Sequence, residues 1–396
     1  MVSPMRIAVD TRSLRPPLTG IGRFAYQLID AILPLLSPHE ELHSFNGWGI
    51  EPLDADFLAR VERLNPQATA VRPLHRAANK AYVFLQQKYM ARKCMRALHT
   101  ANFHRAEKNF DVFHALRFAP PGAFHKPVLP FIHDLSHVRF PHLHPRERVE
   151  WLDAQLKLLV DVPYVQTNSE FTKSEIIAVL GIPPHRIHVT YAAPGVHFRP
   201  NPEGDDSRLA TFNVKPNGYF LAVGTREPRK NFRTVAEAYT MLPAALRARI
   251  PLLWVGPSGW GDLSLSPAVE RAREMGQIGI IGYLPDRDLA ALYRHTILFV
   301  MPSIYEGFGL PVVEAMACGA RVALSKIPVF EEIAGTSARY VDPMDVEGWR
   351  LAMKDAIDAG HQSPNCHGPR PDLSRFSWHS SAATTLGLYR RLAFNN

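Results

Sequence analysis

The chain has 396 residues, 46% of them hydrophobic and 21% charged, with a formal net charge of +8. That mixture excludes a disordered or collagen-like chain, and the length asks for two hydrophobic cores rather than one. The positive balance asks for negatively charged partners such as phosphates or an anionic surface. Cys94, Cys318 and Cys366 lie far apart with no metal or disulfide spacing, the pattern of a reducing compartment. Met1 leads almost directly into an apolar strand, so no secretory leader is expected, and no run reaches the ~18 apolar residues of a membrane span. A cytoplasmic protein, peripheral to the membrane at most, is the expectation.

The first half is predicted to alternate strand and helix. Strand Arg6–Asp10 is followed by a loop carrying Thr19, Gly20 and Gly22, a helix over Arg23–Leu33 and a strand near Glu41–Phe45. A long helix is predicted from Asn79 to about Arg105, with Lys80, Lys88, Arg92, Lys93, Arg96 and Arg105 and no acid. Such a helix either lies on an anionic membrane surface or packs on its own domain with a solvated basic face. Strands follow at Asp111–Ala115, Val128–Asp134 and Tyr164–Ser169, then a helix with Ser169 as N-cap, then strand Ile187–Tyr191. Pro194 to Asp206 reads as a linker.

The second half restarts the pattern. Strands are predicted at Tyr219–Gly224, Pro251–Gly256, Ile278–Gly282, Ile297–Met301 and Val322–Ser325, with a helix from about Asn231 after the first. The alternation places the chain in the α/β class, with parallel sheets covered on both faces. The expected domains are residues 1–200 and 201–375, followed by a last helix over 376–396.

The most informative stretch is Ser303-Ile-Tyr-Glu306-Gly307-Phe308-Gly309-Leu310-Pro311-Val-Val-Glu314-Ala-Met-Ala-Cys-Gly319. Gly307 and Gly309 permit unusual dihedrals and close backbone approach to a ligand. Pro311 suits a first helical turn, which puts Glu314 early in the helix, near its positive end. Open α/β sheets take ligands at such strand ends. Taken alone, Glu306 would cap a turn and Glu314 would be a solvated helix residue. The whole string, S-x-x-E-G-F-G-L-P-x-x-E-A-M-A-C-G, resembles the signature of the retaining GT-B glycosyltransferases of the glycosyltransferase 4 family.

That resemblance implies two Rossmann-like domains facing a central cleft. It puts the acceptor in the first and the nucleotide sugar in the second, with the last helix crossing back to the first. It implies that Glu306 contacts the donor sugar and Glu314 the ribose, with Gly307, Phe308, Gly309 and Leu310 beside the donor. The loop Gly224-Thr225-Arg226-Glu-Pro-Arg229-Lys230-Asn231 offers the fixed positive charge and strand-to-helix amides that a diphosphate needs. In the family an Arg-Lys pair here binds the diphosphate and stabilises the leaving group, roles that fall to Arg229 and Lys230. Thr225 stands where many relatives have Arg, so the sequence leaves open whether Arg226 or Arg229 makes the phosphate contact.

His133-Asp134 resembles the family's H-D dipeptide, whose His lies beside the donor sugar and is not a general base. Gly20-Ile-Gly22-Arg23-Phe-Ala25 reads as G-x-G-x-x-A, but nine residues separate Asp10 from Gly20 and the dinucleotide fingerprint fails. The resemblance makes Gly20 and Gly22 a loop near the phosphates, and Tyr283 and Leu284 the backbone site of the nucleobase. Asp286-Arg-Asp288 imitates the D-x-D of metal-dependent transferases, yet it stands where a helix N-cap and first-turn acid belong. No metal site and no cofactor are expected. No ATPase, serine hydrolase or zincin motif occurs.

The expected function is a retaining, metal-independent glycosyltransferase of surface-polysaccharide synthesis. The elements G-T-x-E-P-R-K-N and H-D-L resemble transferases that use GDP-sugars, so mannose or a related sugar from a GDP-sugar is favoured over a UDP-sugar. The acceptor is expected to be a saccharide or lipid-linked saccharide, with an anionic membrane as a further partner of residues 79–105. The alternatives are a GT-B epimerase or phosphorylase, and a non-catalytic glycan- or membrane-binding scaffold. Nucleic acid is not expected, since no reader module is present.

Overall fold

The computed structural model describes residues 4–65, 89–200, 204–261, 265–360 and 371–394. The chain divides into two compact units. One is made of Met1–Leu135, Glu150–Ala192 and Ser377–Asn396, the other of Ser136–Val149 and Ala193–Phe376.

The first unit holds strands β1 (Met5–Asp10), β2 (Glu40–Phe45), β3 (Ile50–Pro52), β4 (Val112–Ala115), β5 (Val128–Ile132), β6 (Val165–Thr167) and β7 (Ile187–Val189). They lie in the order β3-β2-β1-β4-β5-β6-β7. All pairings are parallel except β2 with β3, an antiparallel edge strand that the sequence reading does not anticipate. Every residue of β4 and β5 is buried, as their continuous apolar runs demand of strands covered on both faces.

Helix α1 (Gly20–Ile32) turns Phe24, Ala25, Leu28, Ile29 and Ile32 inward, an apolar stripe of helical period. It starts three residues before the expected Arg23, so the glycines lie in its first turn and not in a preceding loop. Gly22 has a packing reason to be glycine: a Cβ there would come within 2.5 Å of the Ser13 carbonyl oxygen.

Helix α2 (Tyr89–Ala106) is the described part of the long basic helix; residues 79–88 of that prediction lie outside the described residues. Its Phe103 is fully buried against Phe113 at 4.8 Å and Phe45 at 5.8 Å, worth roughly 2–3 kcal/mol of apolar burial. Arg96 lies over the Trp151 ring at 5.1 Å. The last helix, Trp378–Phe394, packs against α1 and sends Tyr389 to His114 (Oη to Nδ1, 2.6 Å) and Thr385 to Gln166 (2.8 Å). Ser169 caps its helix as expected, accepting the Thr172 N–H at 2.9 Å.

In the second unit β8 (Phe220–Val223), β9 (Leu252–Val255), β10 (Ile278–Ile281), β11 (Leu298–Met301), β12 (Val322–Ser325) and β13 (Arg339–Val341) form an all-parallel sheet. Its order is β10-β9-β8-β11-β12-β13. Helix α3 (Phe232–Thr240) packs Phe232 on Trp254 at 3.8 Å between ring centres. Two stretches depart from the sequence reading. Asp205, expected in a linker, is buried and held by Arg294 at 2.7 and 2.9 Å and His295 at 3.1 Å, which satisfy the hydrogen-bonding capacity that burial takes from water. Residues 136–149, expected with the first half, join the second unit. There Phe140 meets Tyr305, and Trp260 donates Nε1–H to the Leu143 carbonyl. Among the described residues no helix is long and apolar enough to cross a membrane.

Candidate active site

In the second sheet β8 has β9 on one side and β11 on the other, so the winding of the chain reverses between β8 and β11. The loops leaving the carboxyl ends of these two strands border the crevice where open α/β sheets bind ligands. The first loop leaves β8 through Gly224, with φ of +154°, and passes through a single turn, Pro228–Lys230. It enters α3 through Asn231, which is left-handed at φ +51°. The Asn231 side chain holds that conformation by donating to the carbonyls of Pro302 (3.1 Å) and Pro343 (2.6 Å) and accepting from Thr234 (2.7 Å). The second loop is tied to the first by the Ile304 N–H, which donates to the Arg229 carbonyl at 2.9 Å.

Glu306 is the centre of the site and is only 6% exposed. Its Oε2 accepts from Arg229 Nη1 at 2.7 Å, and its Oε1 accepts from Lys230 Nζ at 2.6 Å and Ser303 Oγ at 2.7 Å. Burial pushes its carboxyl upward, but the charges of Arg229 and Lys230 and the bonds from Lys230 and Ser303 outweigh it and hold the group below the ordinary glutamate range. Glu306 is therefore a carboxylate at neutral pH.

Arg229 is also buried, and its guanidinium bonds are directed inward. Nη1 donates to the Tyr305 carbonyl as well as to Glu306, and Nη2 donates to Glu227 at 2.6 Å. Two cations thus meet two carboxylates. Lys230 lines a small recess with Gly224, Trp254, Met301, Pro302 and Ser303, and its ammonium has three N–H bonds, one of them directed to Glu306. Arg226 is differently engaged: its guanidinium meets the Ser258 hydroxyl, and its N–H donates to the Pro257 carbonyl at 3.0 Å. Of the two arginines left open by the sequence, Arg229 is the one joined to Glu306. Thr225 lies half-buried beside Arg226.

Downstream, Gly307, Phe308 and Gly309 are buried and Leu310 half-buried. Phe308 packs on Phe376 at 5.8 Å. Gly309, at φ +115°, is the position before helix α5 (Leu310–Ala317), and a Cβ there would strike the Phe330 ring at 2.8 Å. Helix α4 (Asp286–His295) supplies Tyr293, whose Oη donates to Glu314 Oε2 at 3.3 Å. Glu314 is the fifth residue of α5, in the second turn rather than the first, and only 3% exposed. Tyr283 and Leu284 lie half-buried in the loop after β10, two strands along from β8. At the start of α4 the cap position belongs to Pro285, so Asp286 and Asp288 are first-turn acids and neither is the cap. Asp288 is paired with Arg208.

In the first unit His133 stands just past the end of β5. Its Nε2–H donates to the Leu116 carbonyl at 2.8 Å, and its ring packs on Phe131 at 4.6 Å and edge-on to Phe24 at 5.4 Å. Burial lowers its pKa, and since Nε2 carries the proton the neutral ring keeps its lone pair on Nδ1. Gly20 is exposed, with open space where a side chain would be, and Gly22 is buried.

Sequence reasoning missed several partners. Ser303 and Glu227 stand inside the two motifs quoted and were within reach. Tyr293 carried no signal. At the end of β1, Asp10 is fully buried and gripped by Arg12, Nε to Oδ1 at 2.8 Å and Nη2 to Oδ2 at 2.6 Å, a bidentate pair that no motif announced.

Comparison with known proteins bears on what this arrangement is for. Residues 206–365 match the family described as Glycosyl transferases group 1. The chain is 32% identical over 394 residues to the O-antigen chain mannosyltransferase B of Escherichia coli, covering 98% of this chain and 100% of that protein. It is 33% identical over 57% of its length to the serotype-specific mannosyltransferase WbdA of Escherichia coli, of which it covers 28%. Among solved structures, sucrose-phosphate synthase from Thermosynechococcus elongatus matches with a TM-score of 0.69 at 16% identity, over 99% of this chain and 100% of that one. WaaG, a glycosyltransferase involved in lipopolysaccharide biosynthesis, matches with a TM-score of 0.64 at 15% identity, over 98% and 97%.

Proposed function

The chain belongs to the glycosyl transferases of group 1 and has the α/β GT-B fold, and from that premise we propose that it moves mannose from a GDP-sugar to a saccharide acceptor in surface-polysaccharide synthesis, with retention at the anomeric carbon. Full-length likeness to a protein named as an O-antigen mannosyltransferase supports the sugar and the process. The observation that carries the chemistry is the buried Glu306 carboxylate, held ionised by Arg229, Lys230 and Ser303 where the sheet reverses.

In this reading Lys230 turns its other N–H bonds to the donor diphosphate, and Arg229 acts by fixing Glu306 against the donor sugar. The first amides of α5, from Gly309 and Leu310, lack intrahelical acceptors and add donors for phosphate oxygens, with Gly307 and Phe308 shaping their approach. Glu314 takes the ribose hydroxyls, Tyr283 and Leu284 the base through their backbone, and Thr225 and Arg226 flank the phosphates. Within the first unit, neutral His133 keeps a lone pair on Nδ1 that can accept from a hydroxyl of a bound sugar. The sugar–phosphate bond breaks with its electron pair on the phosphate, where Lys230 compensates the growing charge. The acceptor oxygen bonds to the anomeric carbon on the same face, and its proton passes to the departing phosphate oxygen. No resident metal or cofactor takes part.

A lipid-linked saccharide at the cytoplasmic membrane face, met by the basic residues of 79–105, completes the proposal. The test is a donor screen with GDP-mannose and the common UDP-sugars, run with saccharide acceptors in solution and on anionic vesicles, with the product anomer read by NMR. Transfer from GDP-mannose to give an α-linked product is expected. Turnover of UDP-sugars alone, or a β-linked product, would overturn it, and donor conversion without acceptor would make the protein an epimerase.

A further inference from the structure

Three side chains outside this site converge in the first unit, at the end of α2 and in the loop between β4 and β5. His104 Nδ1 lies 3.3 Å, and His125 Nδ1 3.2 Å, from the same oxygen of Glu107, Oε2. The three candidate ligand atoms fall within 4.8 Å of one another. Two imidazole N–H groups can share one carboxylate oxygen at such distances, but so can three ligands of one ion. Tetrahedral zinc with bonds of ~2.0–2.1 Å spaces its ligands about 3.3 Å apart, the separation found here for both His–Glu pairs.

The support around Glu107 points the same way. The residue is 8% exposed, and its other oxygen, Oε1, accepts the backbone N–H of His125 at 2.8 Å. That bond orients the carboxylate and leaves Oε2 toward the imidazoles, as outer bonds do for metal ligands. The His125 side chain is 84% exposed, so its ring can turn to close the remaining gap to His104 and water can reach the ion. Two imidazoles with one carboxylate suit zinc or a late first-row metal far better than magnesium or calcium, which want oxygen.

We propose that His104, Glu107 and His125 form a divalent-cation site of the zinc type, with three protein ligands and a fourth position taken by water, fastening the end of α2 to the β4–β5 loop. The site shares no residue with the Glu306 cluster, and a metal-independent transfer reaction is compatible with it. Bound to the folded chain alone, the ion stabilises this corner of the first unit by mass action.

The experiment uses the full chain without a histidine tag, stripped with chelator. Zinc is titrated by calorimetry, and thermal unfolding is followed with one equivalent of zinc, with magnesium and with EDTA. One zinc per chain and a higher Tm with zinc but not magnesium are expected. His104→Ala and His125→Ala should each weaken binding about tenfold or more. His125→Gln keeps a donor toward Glu107 and loses the imidazole, so its Tm in EDTA should stay near wild type while the zinc shift disappears. No stoichiometric binding, or binding unchanged in all three variants, would overturn the assignment. Either result leaves the donor screen unaffected.

Discussion

The crevice beyond β8 and β11 and the crevice beyond β1 and β4 occupy the same topological place in two sheets, yet they are furnished differently. In the second unit two cations, Arg229 and Lys230, face two carboxylates, Glu227 and Glu306, and the two loops are joined by a backbone hydrogen bond. In the first unit buried Asp10 is gripped by Arg12, and the charges of Arg12 and Arg117 together hold its carboxyl below the ordinary aspartate range against the upward push of burial. Nearby, burial and then the charges of Arg12, Arg15 and Arg117 drive His99 down to about 4. Phe118, just past β4, is left-handed at φ +91°, an unusual conformation for a bulky residue. One crevice is neutralised and braced before any ligand arrives. In the other, Asp10 lies under the charges of Arg12 and Arg117, and His99 under those of Arg12, Arg15 and Arg117.

The largest effect should come from breaking the balance at Glu306. Glu306→Ala leaves the buried Arg229 with one carboxylate fewer, and removing one partner of a buried charge pair costs about 3–5 kcal/mol. Glu306→Gln keeps the shape and loses the charge. Sugar transfer should fall about 10³-fold in both, and only the alanine variant should lose several degrees of Tm. A glutamine variant with near wild-type kcat would show that the charge at 306 has no part in transfer.

Lys230 tests the same crevice from its open side. Lys230→Ala should abolish most of the Tm rise given by GDP and lower kcat/KM about 10²-fold. Arg226→Ala, whose guanidinium is already spent on Ser258, should change the GDP response by no more than about 0.5 kcal/mol. If Arg226→Ala abolishes the response and Lys230→Ala spares it, the diphosphate is held by the other end of the loop.

How far the sequence could foresee these two crevices depended on whether their parts were local. Glu306, Glu314, Arg229 and Lys230 stand in two short motifs, and the apolar runs of β4, β5, β8 and β11 are long enough to read as covered strands. β3 and β13 were missed because three residues such as Ile50-Glu-Pro52 or Arg339-Tyr-Val341 carry too little alternation to separate a strand from a loop. Asp205 sits in a Pro/Gly/Asp-rich stretch, and nothing nearby announces that Arg294, 89 residues on, makes it a buried anchor. The first-unit crevice was illegible for the same reason. Asp10 and Arg117 are brought together only by the pairing of β1 with β4, in which Val9 stands opposite His114.

The same contrast predicts where acid acts. Burial, with a smaller contribution from His133, holds His114 down at about 3 in the folded chain, and burial also lowers His133. An unfolded histidine takes up its proton near pH 6.5, so below that pH the unfolded state binds more protons and folding is weakened. Glu306 is lowered as well, but its contribution is complete above the ordinary glutamate range near pH 4.5 and begins to fade only below it. Between pH 6.5 and 4.5 His114 and His133 should therefore weaken the first unit, while Glu306 does not yet weaken the second. A single histidine as deeply buried as His114 removes about 2 kcal/mol by pH 5. His114→Asn can keep a partner for the Tyr389 hydroxyl while removing the titrating ring, at the cost of a small cavity. It should be less stable than wild type at pH 7.5 and lose less on acidification, a flatter slope in urea unfolding across that range. Hydrogen exchange at pH 5 should show β4 and β5 opening before β8 and β11. Equal slopes for mutant and wild type would mean that His114 is already protonated in the folded chain and that the first unit has another source of acid sensitivity.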